Sequence, residues 1–280
     1  MRKLKIALTQ FSMEKSRADN VKKAFTYIEQ ASKGKADLIL LPELFLGHYF
    51  CSEENEKFFH QAIEKNDSII VKDFAECARK NNISIIFSFF EKEGPHYYNS
   101  VLHIQKNGEL SKVYRKSHIP DGPGYEEKFF FKPGNTGFKV WSIEGVSFGV
   151  GICWDQWFPE TARILALQGA EFLLYPTAIG TEPQDNGLDT RHSWRTVMLG
   201  HAVANAVPVL AANRVGQESK INFYGTSFVA DHSGKVIQEL NQEEGLLFQD
   251  FDFDVIKEYR AAFGFFRDRR PDLYAELVKN

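Results

Sequence analysis

An α/β layered fold is the architecture this sequence predicts, and two observations carry it. Short apolar runs alternate along the whole 280-residue chain with stretches whose apolar residues recur at helical spacing. No Pro/Gly/Ser-rich linker or low-complexity tract divides the chain. Length alone is compatible with more than one domain, but α/β folds of one domain routinely reach this size. One domain over residues 1–280 is therefore expected. The 43% apolar and 25% charged content suits a globular chain that forms its core without disulfides or metal.

The elements follow in order. Lys5 to Thr9 reads as a buried strand. Val21, Ala24, Phe25 and Ile28 fall at i, i+3, i+4 and i+7, one apolar stripe on a helix that Gly34 can end. Leu38 to Leu41 is a short apolar run closed by Pro42, hence a second strand. A helix around Asp73 to Lys80 and a strand at Ile83 to Phe90 keep the rhythm. Two extended runs between Asn99 and Tyr114 flank Asn107-Gly108, a pair suited to a type I′ turn, which predicts a hairpin. Another strand pair surrounds Glu144-Gly145. Val146 to Ile152 runs directly into Cys153, where a helix is expected to begin, and a helical pattern resumes from Pro159 to Gln168. The second half then offers a strand at Phe172 to Tyr175, a helix at Ser193 to Asn205, a strand at Val209 to Ala212 and paired strands around Asp231 to Gly234. The halves share this order without repeating in sequence.

Composition excludes several function classes. A net charge of −3 and a pI near 6.3 provide no basic footprint for a phosphate backbone, so no nucleic acid partner is expected. No run approaches the apolar length of a membrane span, and the basic N-terminal stretch is too interrupted for a signal peptide. Cys51, Cys77 and Cys153 are too few and too scattered for a disulfide framework, which points to free thiols and a cytoplasmic location. The 25 Phe stand out. They can thicken a core, line a pocket or cover a subunit interface.

Three segments offer chemistry. Cys153 stands at a strand-to-helix junction, where unpaired N–H groups and the helix dipole favour a thiolate nucleophile; the bland alternative is a small buried hydrophobe. His118, His192 and His201 are available as a base, but nothing near them repeats the local signatures of cysteine proteases. Glu43 in Leu41-Pro-Glu-Leu-Phe45 and Lys116 in Val113-Tyr-Arg-Lys-Ser-His-Ile-Pro120 each follow a strand end, where open α/β sheets collect functional groups.

Taken in order, Pro-Glu43, Tyr-Arg-Lys116 and Gly-Ile-Cys153-Trp-Asp resemble the three signature segments of the nitrilase superfamily of carbon-nitrogen hydrolases, and the resemblance covers nearly the whole chain. It implies a four-layer αββα sandwich, two mixed sheets flanked by helices. It also implies a Glu-Lys-Cys triad with Glu43 as general base, Lys116 as cationic stabiliser and Cys153 as nucleophile. A second glutamate after the lysine segment matches Glu127 rather than Glu126, in Gly124-Tyr-Glu-Glu-Lys-Phe-Phe-Phe-Lys-Pro-Gly134. The Trp154 backbone N–H would complete an oxyanion hole. No metal or organic cofactor is implied. A homo-oligomer is, with the stretch from about residue 252 at a subunit interface.

Longer stretches, among them Lys116 to Tyr125, Tyr175 to Asp185 and Asn222 to Phe228, resemble a branch of that superfamily acting on a small carbamoylated amine. Such a substrate places a ureido group at Cys153 and an ammonium at its far end, and the far end needs a carboxylate. Asp121, Asp155, Glu182, Asp185 and Asp189 are the candidates, with Glu182 favoured by its place in the loop after a strand end. Tyr49, Trp154 and some of the Phe are expected along the methylene section. A carboxylate-bearing substrate would instead want an arginine, such as Arg191 or Arg195.

Overall fold

In the computed structural model, which describes residues 2–66, 68–185 and 187–279, strand β1 (Lys3–Gln10) shows how the layers arise. Its side chains alternate, as strand geometry requires: Leu4, Ile6 and Leu8 enter one core, and Ala7 enters another on the opposite face. A strand apolar on both faces needs cover on both. Helices α1 (Arg17–Lys33) and α2 (Ile69–Asn81) supply it on one side through Ala24, Ile28, Val71 and Phe74. Ser16 and Ser68 cap their first turns by accepting backbone N–H bonds.

The same sheet takes in β2 (Leu38–Leu40), β3 (Ser84–Glu93), β4 (His96–Ile104) and the short β5 (Tyr114–Arg115). β1, β2 and β3 run parallel, and β4 and β5 continue the sheet antiparallel. After the four-residue helix α3 (Glu127–Phe130), a second sheet forms from β6 (Val140–Ile143) and β7 (Val146–Val150), followed by helix α4 (Pro159–Leu167) and β8 (Phe172–Thr177). Helix α5 (Arg191–Asn205) leads to β9 (Val209–Asn213), and β10 (Val215–Glu218) pairs with β11 (Ile221–Tyr224) in a separate ribbon. β12 (Phe228–Ala230) and β13 (Val236–Glu239) finish the second sheet, in the order β13-β12-β9-β8-β7-β6 with β7, β8 and β9 parallel. The chain then returns. β14 (Gly245–Asp252) pairs antiparallel with β1 over its full length, from Lys3 opposite Asp252 to Gln10 opposite Gly245, and helix α6 (Phe253–Phe263) follows.

The sheets face each other through Leu4, Ile6, Leu8, Leu38, Leu40, Phe148, Phe172, Leu174 and Leu210. The outer face of the second sheet is covered by α4 and α5, through Leu165, Trp194 and Met198. This is the four-layer α-β-β-α order that the resemblance implied, with two mixed sheets.

Three local expectations need correction. Asn107 does not take the left-handed conformation a type I′ turn demands: only Gly108 does (φ +85°), and the Asn107 side chain instead accepts the Glu109 N–H. At Glu144-Gly145 both residues have positive φ (46° and 76°), so the mirror-type turn sits there. Cys153 opens a 3₁₀ turn over Cys153–Trp157 rather than an α-helix. The helix starts at Pro159, whose fixed φ suits a first helical position.

Candidate active site

Three strand ends converge on one buried cluster. β2 ends at Leu40, and the turn that follows carries Glu43. β5 hands the chain on to Lys116, and β7 leads into Cys153. Glu43 and Lys116 are fully buried, Glu127 is 1% exposed and Cys153 6%. Buried charge persists only where partners compensate it. Here Lys116 Nζ donates to Glu43 Oε1 at 3.0 Å and to Glu127 Oε2 and Oε1 at 2.7 and 2.9 Å. Asn99 Nδ2 adds a donor to Glu43 Oε1 at 2.7 Å, and the Tyr49 hydroxyl donates to Glu127 Oε1 at 2.7 Å. Glu43 Oε2 is buried with no hydrogen-bond partner among the described residues.

Electrostatics follow from the count: two carboxylates meet one ammonium. Burial by itself would lower the Lys116 pKa, but Glu127 and Glu43 outweigh it and hold the ammonium charged. Burial pushes the Glu127 carboxyl up, with Lys116 opposing and Glu43 adding to the rise. The Cys153 thiol is also pushed well above its ordinary range, first by burial and then by Glu43, while Lys116 pulls the other way. The thiolate expected from a helix start is therefore not the resting form. The Cys153 sulfur lacks a helix dipole behind it, and to act as a nucleophile it would need a base to take its proton.

The turn that carries Cys153 is held from below. Cys153 has φ +39°, a left-handed conformation that a non-glycine residue keeps only where its surroundings impose it. Asp155, fully buried, accepts the Ile152 N–H at 2.9 Å and so ties the turn to itself. It also accepts the Tyr114 hydroxyl (2.7 Å), the His118 N–H (3.0 Å) and His118 Nδ1 (2.7 Å). One carboxylate thus joins the segment around Lys116 to the turn of Cys153, across the two sheets. Gly134 contributes a close approach: its N–H donates to the Lys116 carbonyl at 2.8 Å, and a Cβ there would lie 2.9 Å from that oxygen.

Cys153 and Glu127 open onto a cavity of about 370 Å³ lined also by Trp154, Trp157, Tyr125, Ile179 and Leu188. Glu182 and Asp121 lie in its wall, and among the described residues no lysine or arginine does. Tyr125 pins the loop that bears Glu182: its hydroxyl donates to the Thr181 carbonyl and accepts the Gly180 N–H, each at 3.1 Å. Of the other acids considered, Asp155 is consumed by the four bonds above, and Asp185 and Asp189 cap local turns outside the cavity. Arg191 pairs with Asp189, Arg195 pairs with Glu239, and neither lines the cavity.

Two placements differ from expectation. Tyr49 does not line the cavity; it stands behind Glu127, because the short 3₁₀ turn at Phe50–Ser52 directs its hydroxyl into the carboxylate cluster. Among the described residues no Phe lines the cavity either: Phe50, Phe90, Phe130 and Phe131 pack together in one buried cluster with Tyr49. Asn99 and Arg214 were not among the site residues expected from the sequence. Asn99 showed only as a polar residue inside a strand, and Arg214 only as a cation following an apolar run.

A family model described as carbon-nitrogen hydrolase matches residues 5–261. The chain is 47% identical to the N-carbamoylputrescine amidase of Arabidopsis thaliana, over 99% of this chain and 96% of that protein. It is also 47% identical to the citrullinase of Francisella tularensis, over 100% and 99% of the two. Among solved structures, a carbon-nitrogen hydrolase from Helicobacter pylori G27 superposes with a TM-score of 0.95 at 37% identity, covering 100% of this chain and 99% of that one. An amidase from Nesterenkonia sp. AN1, in a mutant form with the acetamide moiety of fluoroacetamide added covalently at its active-site cysteine, superposes at 0.83 with 26% identity over 98% and 97%. The chain belongs to the carbon-nitrogen hydrolase family.

Proposed function

We propose that this enzyme hydrolyses N-carbamoylputrescine to putrescine, ammonia and carbon dioxide, a step of polyamine biosynthesis, through a covalent intermediate on Cys153. The observation that carries the substrate is the charge of the cavity: acids at Glu182 and Asp121 beside Glu127, which Lys116 takes up, and among the described residues no cationic side chain in its wall. A ureido group bound at Cys153 leaves a four-carbon chain along Trp154 and an ammonium at Glu182. The 47% identity to N-carbamoylputrescine amidases supports the same reading.

In this mechanism Glu43 Oε2 takes the thiol proton as the Cys153 sulfur adds to the ureido carbon. The carbonyl oxygen becomes an oxyanion, held by the Lys116 ammonium and the Trp154 N–H. Collapse breaks one carbon-nitrogen bond, and the departing nitrogen takes the proton back from Glu43. A carbamoyl thioester remains. Glu43 then removes a proton from water as it attacks and returns it to the sulfur as the carbon-sulfur bond breaks, and the released carbamate breaks down to carbon dioxide and the second amine. Glu127 fixes Lys116 throughout.

A second reading, hydrolysis of citrulline, is favoured by the equal identity to a citrullinase. Citrulline adds a carboxylate beside its ammonium, and the cavity wall has no cation to meet it. Ammonia release measured on N-carbamoylputrescine, citrulline, β-ureidopropionate and a dicarboxylic monoamide separates the readings. The highest kcat/KM is expected for N-carbamoylputrescine; preference for citrulline would replace the first reading with the second.

We also propose a homo-oligomer in which residues beyond about 252 contact a second copy. Leu273, Leu277 and Val278, 64%, 67% and 86% exposed, support it.

A further inference from the structure

Arg214 is a fully buried arginine at the junction of β9 and β10, and it does not touch the cavity of Cys153. Its guanidinium is spent on the turn that carries Glu43. Nη2 donates to the Glu43 carbonyl at 2.7 Å and to the Leu44 carbonyl at 3.1 Å, and Nη1 reaches the Gly47 carbonyl at 3.4 Å. Leu44 is left-handed (φ +49°), so this turn is one that its own sequence does not favour. Glu218 holds the arginine in place, accepting Nη1 at 2.9 and 3.0 Å, and is itself 5% exposed. The same Glu218 accepts the Tyr49 N–H at 2.6 Å, and the guanidinium lies 5.7 Å from the Tyr49 ring and 5.1 Å from the Phe223 ring.

One buried ion pair from the second half of the chain therefore grips both ends of the segment from Glu43 to Tyr49. At one end is the carboxylate assigned above as the base; at the other is the tyrosine whose hydroxyl bonds Glu127. We infer that Arg214, locked by Glu218, is a positioning residue for catalysis: it sets where Glu43 and Tyr49 stand relative to Lys116 and Cys153. The inference rests on the acid-base reading of Glu43. The planar guanidinium divides its work, Nη2 serving the Glu43 and Leu44 carbonyls while Nη1 serves Glu218 and Gly47, and lysine, with one nitrogen, cannot hold both sets at once. Replacement by lysine keeps the charge beside Glu218 and loses the fork.

The test is steady-state ammonia release from N-carbamoylputrescine by the intact enzyme, Arg214→Lys, Glu218→Gln and Glu43→Gln, with the melting temperature of each. Misplacement of a catalytic group by a fraction of its proper distance costs up to about 10²-fold in rate. Arg214→Lys is expected to lose about that much kcat per folded molecule while KM stays near the parent value. A purely structural residue would lower the melting temperature and leave the kcat of the folded fraction intact, and that result overturns the inference. If Arg214→Lys does not accumulate folded, Glu218→Gln carries the same comparison: kcat lost with KM held supports the inference, and parental kcat overturns it. Glu43→Gln separates the two layers. Parental turnover in that variant overturns the acid-base reading beneath, whereas an inactive Glu43→Gln beside a fully active Arg214→Lys overturns the positioning role alone.

Discussion

Glu43 and Lys116 meet through one carboxylate oxygen: Oε1 takes the ammonium at 3.0 Å, and Oε2 is left buried without a partner. The arrangement orients the carboxylate and reserves one of its oxygens. It predicts that Glu43→Gln, which keeps the shape and removes the basicity, lowers kcat by about 10²–10⁴ with little change in KM. Steady-state kinetics on N-carbamoylputrescine checks this; a tenfold or greater rise in KM with kcat intact would place Glu43 in binding instead.

Of the three acids lining the cavity, Glu127 is taken up by Lys116 and Tyr49, and Glu182 is more enclosed than Asp121, its loop pinned by Tyr125. Glu182→Gln is expected to raise KM for N-carbamoylputrescine about tenfold, the scale of one charge-assisted hydrogen bond at a half-exposed site. For butylurea, which lacks the ammonium, KM should not move. Equal effects on both substrates would remove Glu182 as the anchor.

Asp155 joins two sheets with four accepted hydrogen bonds. Asp155→Ala leaves buried donors at Tyr114 and Ile152 with nothing to bond, and should cost about 3 kcal/mol of stability. Urea unfolding measures it. A loss below about 1 kcal/mol would mean that other groups replace the clamp.

His103 supplies a pH test of the fold. It is 3% exposed between the rings of Phe148 and Trp141, and burial lowers its pKa from 6.5 to about 4. The unfolded chain therefore takes up a proton below pH 6.5 that the folded chain refuses until about pH 4. Stability contributed by this group is complete above pH 6.5 and falls through that window, by about 3 kcal/mol in all. His103→Gln should flatten this part of the stability curve, as read from urea midpoints at successive pH values; an unchanged slope would show that carboxylates dominate it.

Much of this was legible in the sequence, for identifiable reasons. The parallel strands β2, β8 and β9 are covered on both faces, so they appear as unbroken apolar runs such as Leu38 to Leu41. β14 was not legible: it lies at a sheet edge, only partly buried over most of its length, and its partner β1 is more than two hundred residues away. The β10–β11 ribbon is short and mixed in polarity. Glu43, Lys116 and Cys153 could be found because their three segments occur in order, each residue lying within three positions of a strand end. The roles of Tyr49 and Arg214 could not, since side-chain direction in an irregular turn leaves no periodic trace. The helix expected at Cys153 failed for a related reason: the 3₁₀ turn is set by the Asp155 side chain bonding back to Ile152.

In the proposed reaction Cys153 attacks a carbamoylated diamine in this buried cluster. Ammonia release from N-carbamoylputrescine by the parent enzyme and by Cys153→Ala tests it most directly. Turnover by the parent and none above background by Cys153→Ala is the result predicted; hydrolysis that persists in Cys153→Ala, or a parent inert toward this substrate, would contradict it.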